Sequence, residues 1–181
     1  MQIVIKGNSM PVISIFGSGK ATPKSSVYKI AKKAGYILAK NGFDLVTGGY
    51  YGVMEAVFIG AKKLDVRRIA VTTKFFADKK SNDFATEIIE TETYSERLLK
   101  LMEIADAYLV LPGGSGTLLE FSYLYAFKER GIINKPLICY GKQWKKILNN
   151  IGLKKKDLKK LKNLDIFLIN DIKKLNKILK K

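Results

Sequence analysis

Short apolar runs alternate along the chain with stretches in which apolar side chains recur every three or four positions. These are the signatures of buried strands and of one-sided helices. Val12–Phe16 reads as a first strand and ends in Gly17-Ser18-Gly19. Val27, Ile30, Ala31, Ala34 and Leu38 then keep helical spacing up to a stop at Asn41-Gly42. Asp44–Thr47 is the next strand and also ends in glycines; Met54, Val57, Phe58 and Ala61 mark the helix behind it. Ile69–Thr72 is a third strand, and the polar stretch Phe75–Phe84 reads as a mobile loop. Glu87–Thr91 is a short strand, after which Thr93 or Ser95 caps a helix with Leu98, Leu101, Met102 and Ala105 on its apolar face. Tyr108–Leu111 is the most strand-like run. It opens into Pro112-Gly113-Gly114-Ser115-Gly116-Thr117, with a helix from there to Arg130. Pro136–Tyr140 and Asp165–Ile169 complete the strands. Lys145–Leu161, in one or two pieces, and Asp171–Lys180 complete the helices.

Strands separated by helices predict an α/β chain with a Rossmann-like, doubly wound parallel sheet in three layers. The chain has 181 residues, 47% of them hydrophobic, which is enough for one core. It has no internal repeat and no linker rich in Pro, Gly or Ser, so residues 1–181 read as a single domain. Its apolar runs are too short to span a bilayer, and Met1–Met10 is too weakly apolar for a signal peptide. With a single cysteine, Cys139, no internal disulfide forms, and the expected location is cytoplasmic.

Charge and histidine content narrow the chemistry. The net charge is +17, and residues 142–181 hold 14 lysines against 3 acidic residues. A basic part of this kind suits nucleic acid or another polyanion. Its lysines alternate with leucines and lack aromatic residues that would stack on bases, so solvated helix faces are the preferred reading. The absence of histidine removes Ser-His-Asp and Cys-His nucleophiles and H-E-x-x-H zinc sites. No metal site is expected, and any acid–base work falls to Asp, Glu, Lys, Arg, Tyr or the substrate.

Three strand-to-helix turns are rich in glycine: Gly17-Ser18-Gly19, Gly48-Gly49-Tyr50-Tyr51-Gly52 and Gly113-Gly114-Ser115-Gly116. In open α/β sheets, ligands sit beyond the carboxyl ends of the strands, where glycine lets backbone amides approach a phosphate. Three such turns on one sheet edge point to a phosphorylated ligand. The first turn is not an ATP-binding P-loop, because Ser14 and Ala21 stand where that motif needs Gly and Ser or Thr. It is not a dinucleotide fingerprint either: Thr22 replaces the third glycine, and no acid ends the second strand.

The segment Pro112–Glu120 has the pattern PGGxGTxxE, and Gly48–Met54 has the pattern GGxxGxM. On these motifs, from Val12 to Tyr140, the chain resembles the LOG (Lonely Guy) phosphoribohydrolases, often mislabelled lysine decarboxylases. The related molybdenum-cofactor carrier proteins share the glycine loops. The resemblance implies hydrolysis of the N-glycosidic bond of a nucleoside 5′-monophosphate to free base and ribose 5-phosphate. The substrate would be AMP-like or a cytokinin riboside monophosphate, the protein a homodimer, and no cofactor is implied. Arg97 and Glu120 carry over as the catalytic pair. Gly17, Ser18, Gly48, Gly49, Gly52, Met54, Gly113, Gly114, Ser115, Gly116 and Thr117 carry over as the phosphate- and nucleotide-binding residues. Two other readings are a non-catalytic carrier or sensor of a phosphorylated ligand such as molybdenum cofactor, and a nucleic-acid-binding protein of DNA-processing type.

Plain structural roles compete for the same residues. Glu120 reads equally as an acid in the first turn of its helix, satisfying the helix dipole. Arg97 reads as a surface residue beside Glu96, Met54 as core, and Asp106 as structural. Tyr50 and Tyr51 either stack on a base or pack. Leu98, Leu101 and Leu119 stand where plant-like members carry Lys, Met and an acid, which leaves the choice of base open.

Overall fold

The computed structural model describes residues 10–76, 78, 80–152 and 158–179. Seven strands form one parallel sheet: β1 (Val12–Phe16), β2 (Asp44–Thr47), β3 (Arg68–Thr73), β4 (Glu87–Thr91), β5 (Ala107–Val110), β6 (Leu137–Tyr140) and β7 (Ile166–Ile169). Their order is β4-β3-β2-β1-β5-β6-β7, so the winding reverses between β1 and β5. Pleating sends Ile13 and Ile15 to one face and Phe16 to the other, which gives two apolar layers. The first layer is covered by α1 (Ser26–Lys40), α2 (Val53–Ala61) and α7 (Leu175–Ile178). The second is covered by α3 (Tyr94–Glu103), α4 (Ser115–Glu129), α5 (Lys142–Asn150) and α6 (Leu158–Asn163). This is the α/β, Rossmann-like three-layer arrangement.

Local chemistry explains where the site-bearing helix begins. Thr93 caps α3, its side chain accepting from the Glu96 amide while Glu96 reaches back to the Thr93 amide, a capping box. Asp106 has the structural role: its carboxylate accepts from Val12 N at 2.8 Å, and its own amide donates to Val12 O. The lysines of α5, α6 and α7 are exposed, while Ile166, Ile169, Ile172, Leu175 and Leu179 are buried. The basic C-terminal part is thus stitched into the sheet by β7.

The helical stretch Lys145–Leu161, expected in one or two pieces, is two helices, with residues 153–157 outside the described residues. Two expectations change. The predicted helix Asp171–Lys180 is a 3-10 turn, Ile172–Lys174, leading into α7; Lys180 lies outside the described residues. The stretch Phe75–Phe84 is anchored at both ends. It starts in a 3-10 turn, Lys74–Phe76, and Asn82 is buried, its Nδ2 donating to the carbonyls of Gly49 and Tyr50 at 2.8 Å each. Residues 77 and 79 between these anchors are outside the described residues.

Candidate active site

The three glycine turns meet at the carboxyl edge of the sheet, around the reversal between β1 and β5. Ser18 joins them. Its amide donates to Pro112 O at 3.1 Å, and its carbonyl accepts from Val53 N at 2.9 Å. Gly52 has φ +71°, and a Cβ there would overlap the Ser18 carbonyl. A Cβ on Gly17 would likewise strike Val53. The first two turns therefore brace one another, and Ser18 spends its backbone groups on that bracing. Gly49 does the same: its amide donates to Thr47 Oγ1, and its carbonyl accepts from Ser81 Oγ and from Asn82.

The third turn is the one left open to a ligand. Gly114 caps α4 with no side-chain hydrogen bond, and Gly114, Ser115 and Gly116 are exposed. The amides of Ser115, Gly116 and Thr117 open the helix, where no intrahelical carbonyl is available to them. They point their partial positive charge outward, which suits a phosphate. Thr117 is buried, and its hydroxyl lies under Gly113 where a side chain would otherwise be.

Arg97 is 6% exposed, not a surface residue. From α3 it reaches over the carboxyl ends of β2 and β3; Nε donates to Val71 O at 2.7 Å and Nη2 to Gly48 O at 3.0 Å. Its guanidinium lies 5.4 Å from the ring centroid of Tyr50 and 5.9 Å from that of Tyr94. Burial lowers its pKa, while the Glu120 charge and the two tyrosines oppose that shift. Glu120 is half-buried on α4, and burial pushes its pKa up to about 8 against the opposing pull of Arg97. No hydrogen-bond partner for its carboxyl is present among the described residues. α4 starts at Ser115, so Glu120 stands in the second turn, not the first, and α4 has no acid in its first turn. The dipole-satisfying reading of this residue is therefore displaced: a charge this far along the helix gains little from the terminus.

The remaining motif residues sort by contact. Met54 is half-buried between the first two turns, its sulfur beside Gly48 and its methyl beside Gly19. Tyr50 and Tyr51 part company: Tyr50 is buried against Thr73, Phe76 and Arg97, and Tyr51 is exposed. Leu101 is fully buried in the second apolar layer, whereas Leu119 is 45% exposed. Tyr94 was not legible as a site residue, although its spacing from Arg97, three residues along one helix, places both on the same face. Among the described residues, no three His, Cys, Asp or Glu side chains cluster as metal ligands. No helix among them is long and apolar enough to cross a membrane.

The fold and the site together define a class: an α/β chain with a parallel sheet whose winding reverses beside an open, amide-lined helix terminus, with an arginine and a glutamate near that terminus. The model of the SLOG cluster4 family matches residues 10–166, and the chain belongs to that family. A cytokinin riboside 5′-monophosphate phosphoribohydrolase of Mycobacterium tuberculosis is 31% identical over 116 residues, covering 63% of this chain and 62% of that protein. The chain thus spans less than two thirds of that enzyme's length. The molybdenum cofactor binding protein of Rippkaea orientalis superposes with a TM-score of 0.73 at 25% identity, over 94% of this chain and 96% of that one. The molybdenum cofactor carrier protein of Chlamydomonas reinhardtii shares the fold, with a TM-score of 0.66 at 21% identity over 91% and 92% of the two chains.

Proposed function

We propose that the chain hydrolyses the N-glycosidic bond of a nucleoside 5′-monophosphate, releasing free base and ribose 5-phosphate. The observation that carries this reading is a buried Arg97, held by the Val71 and Gly48 carbonyls, within electrostatic reach of the half-buried Glu120 on α4, the helix whose start is open. The amides of Ser115, Gly116 and Thr117 take the 5′-phosphate. Glu120 follows one helical turn later, in position to face the ribose. With its pKa raised to about 8, the carboxyl holds a proton at neutral pH and acts first as an acid. The C1′–N bond breaks with its electron pair passing to the base, which takes the Glu120 proton. Water adds to the oxocarbenium carbon and returns a proton to the Glu120 carboxylate. Arg97 stabilises that carboxylate in the interval, being held from behind by two backbone carbonyls. Exposed Leu99, Leu118 and Leu119 on α3 and α4 support a homodimer formed beside the site.

A carrier of a phosphorylated ligand is the second reading, favoured by the near-complete overlap with the Rippkaea protein. Both are tested by incubating the protein with AMP, GMP, CMP, UMP and N6-isopentenyl AMP and following released base by chromatography. Release that is lost in Glu120→Gln and Arg97→Ala supports hydrolysis. Binding with no release from any nucleotide overturns it in favour of the carrier.

A further inference from the structure

Phe75 stands 70% exposed where β3 leaves the sheet, at the rim of the site. Its ring meets Phe76 at 5.4 Å and Tyr94 at 6.4 Å between centroids. Phe76 in turn meets Tyr94 at 5.7 Å and Tyr50 at 5.8 Å, both edge to face. The Arg97 guanidinium lies against the two tyrosine rings. One exposed phenylalanine needs no explanation by itself. This one belongs to a wall of four interlocked rings, and Tyr94 brings that wall to the exposed start of α4. A Cβ on Gly116 would stand 3.7 Å from the Tyr94 hydroxyl, so Tyr94 links the amides of α4 to Phe75.

We infer that Phe75, with Tyr94 beside it, is the stacking surface for the base of the bound nucleotide. The inference rests on the reading that the phosphate sits at the start of α4. With the phosphate there and the ribose between Glu120 and Arg97, the base extends past Arg97 and meets the rings that border it. A planar heterocycle suits this wall because stacking needs a π face and tolerates varied ring edges.

The test is calorimetric titration of AMP and of ribose 5-phosphate in a Glu120→Gln background, where AMP stays intact, with Phe75→Ala and Phe75→Trp added in turn. Phe75→Ala is expected to weaken AMP about 5- to 150-fold, the range of one base–aromatic stack. Ribose 5-phosphate affinity stays the same, and Phe75→Trp restores AMP. Unchanged AMP affinity in Phe75→Ala overturns the inference. So does a shift from dimer to monomer in that variant without loss of AMP affinity, which assigns the rings to contact between copies. Equal affinity of the background protein for AMP and ribose 5-phosphate overturns the stacking surface while leaving the phosphate reading intact. Binding of neither ligand to the background or to wild-type protein overturns the phosphate reading beneath it.

Discussion

The Arg97 guanidinium donates to the Gly48 carbonyl at 3.0 Å and lies across the space that a Gly48 side chain would fill. The glycine of the second turn is thus the seat of the arginine. Gly48→Ala forces Arg97 to swing out, which leaves the Val71 and Gly48 carbonyls without their partner. The expected cost is about 1–3 kcal/mol of stability, read as a lower urea midpoint. Base release should fall about 10²- to 10³-fold, as when a positioned charge-stabilising donor is removed. A Gly48→Ala protein with wild-type turnover would show that Arg97 does not act from this seat.

Glu120 ties stability to pH. Its folded pKa of about 8 lies above the ordinary value of 4.5, so between these limits the folded chain keeps a proton that the unfolded chain has lost. Stability therefore falls as pH rises through that window. Glu120→Gln removes the ionisation and should be more stable than wild type at pH 8, by on the order of 2–4 kcal/mol once partial exposure is allowed for. The two proteins should converge near pH 4. Urea titrations at both pH values check this; parallel curves would show that Glu120 is ionised in the folded protein at neutral pH.

Gly113 is closed in by Thr117 Oγ1 and by the Ser18 amide, and a methyl group at this position would press against both. Gly113→Ala must push the third turn away from the first and shift the opening amides of α4. Titration with inorganic phosphate should show at least about a tenfold loss, roughly 1.4 kcal/mol. Unchanged phosphate affinity in Gly113→Ala would show that the opening amides of α4 do not hold the phosphate.

The strands and helices were legible because apolar periodicity is local, and the parallel α/β class followed from their alternation. The strand order was not, since each pairing joins distant segments, as Ile13 with Ala107. Arg97 and Glu120 were legible only as members of a pattern. The burial of Arg97 depends on carbonyls 26 and 49 residues away along the chain, at Val71 and Gly48, which no local signal reports. Phe75 and Phe76 were hidden inside a stretch that reads as polar loop by composition. Two adjacent aromatics there were the available sign that this turn packs against something.

Leu175 is fully buried against the layer formed by α1 and β-strand residues, although it sits in the lysine-rich part that composition marks as solvated. Ile172 and Leu179 are buried with it, and Asn176 accepts a 3.0 Å hydrogen bond from Asn41 at the end of α1. The C-terminal turn is thus a cover for α1, and its lysines are the outer side of that cover. Leu175→Ala should cost about 2–5 kcal/mol by deleting volume from the core. Lys173→Ala and Lys177→Ala, both exposed, should change the urea midpoint very little. If instead the lysine variants destabilise and Leu175→Ala does not, this segment is held by charge, and its apolar side carries no part of the core.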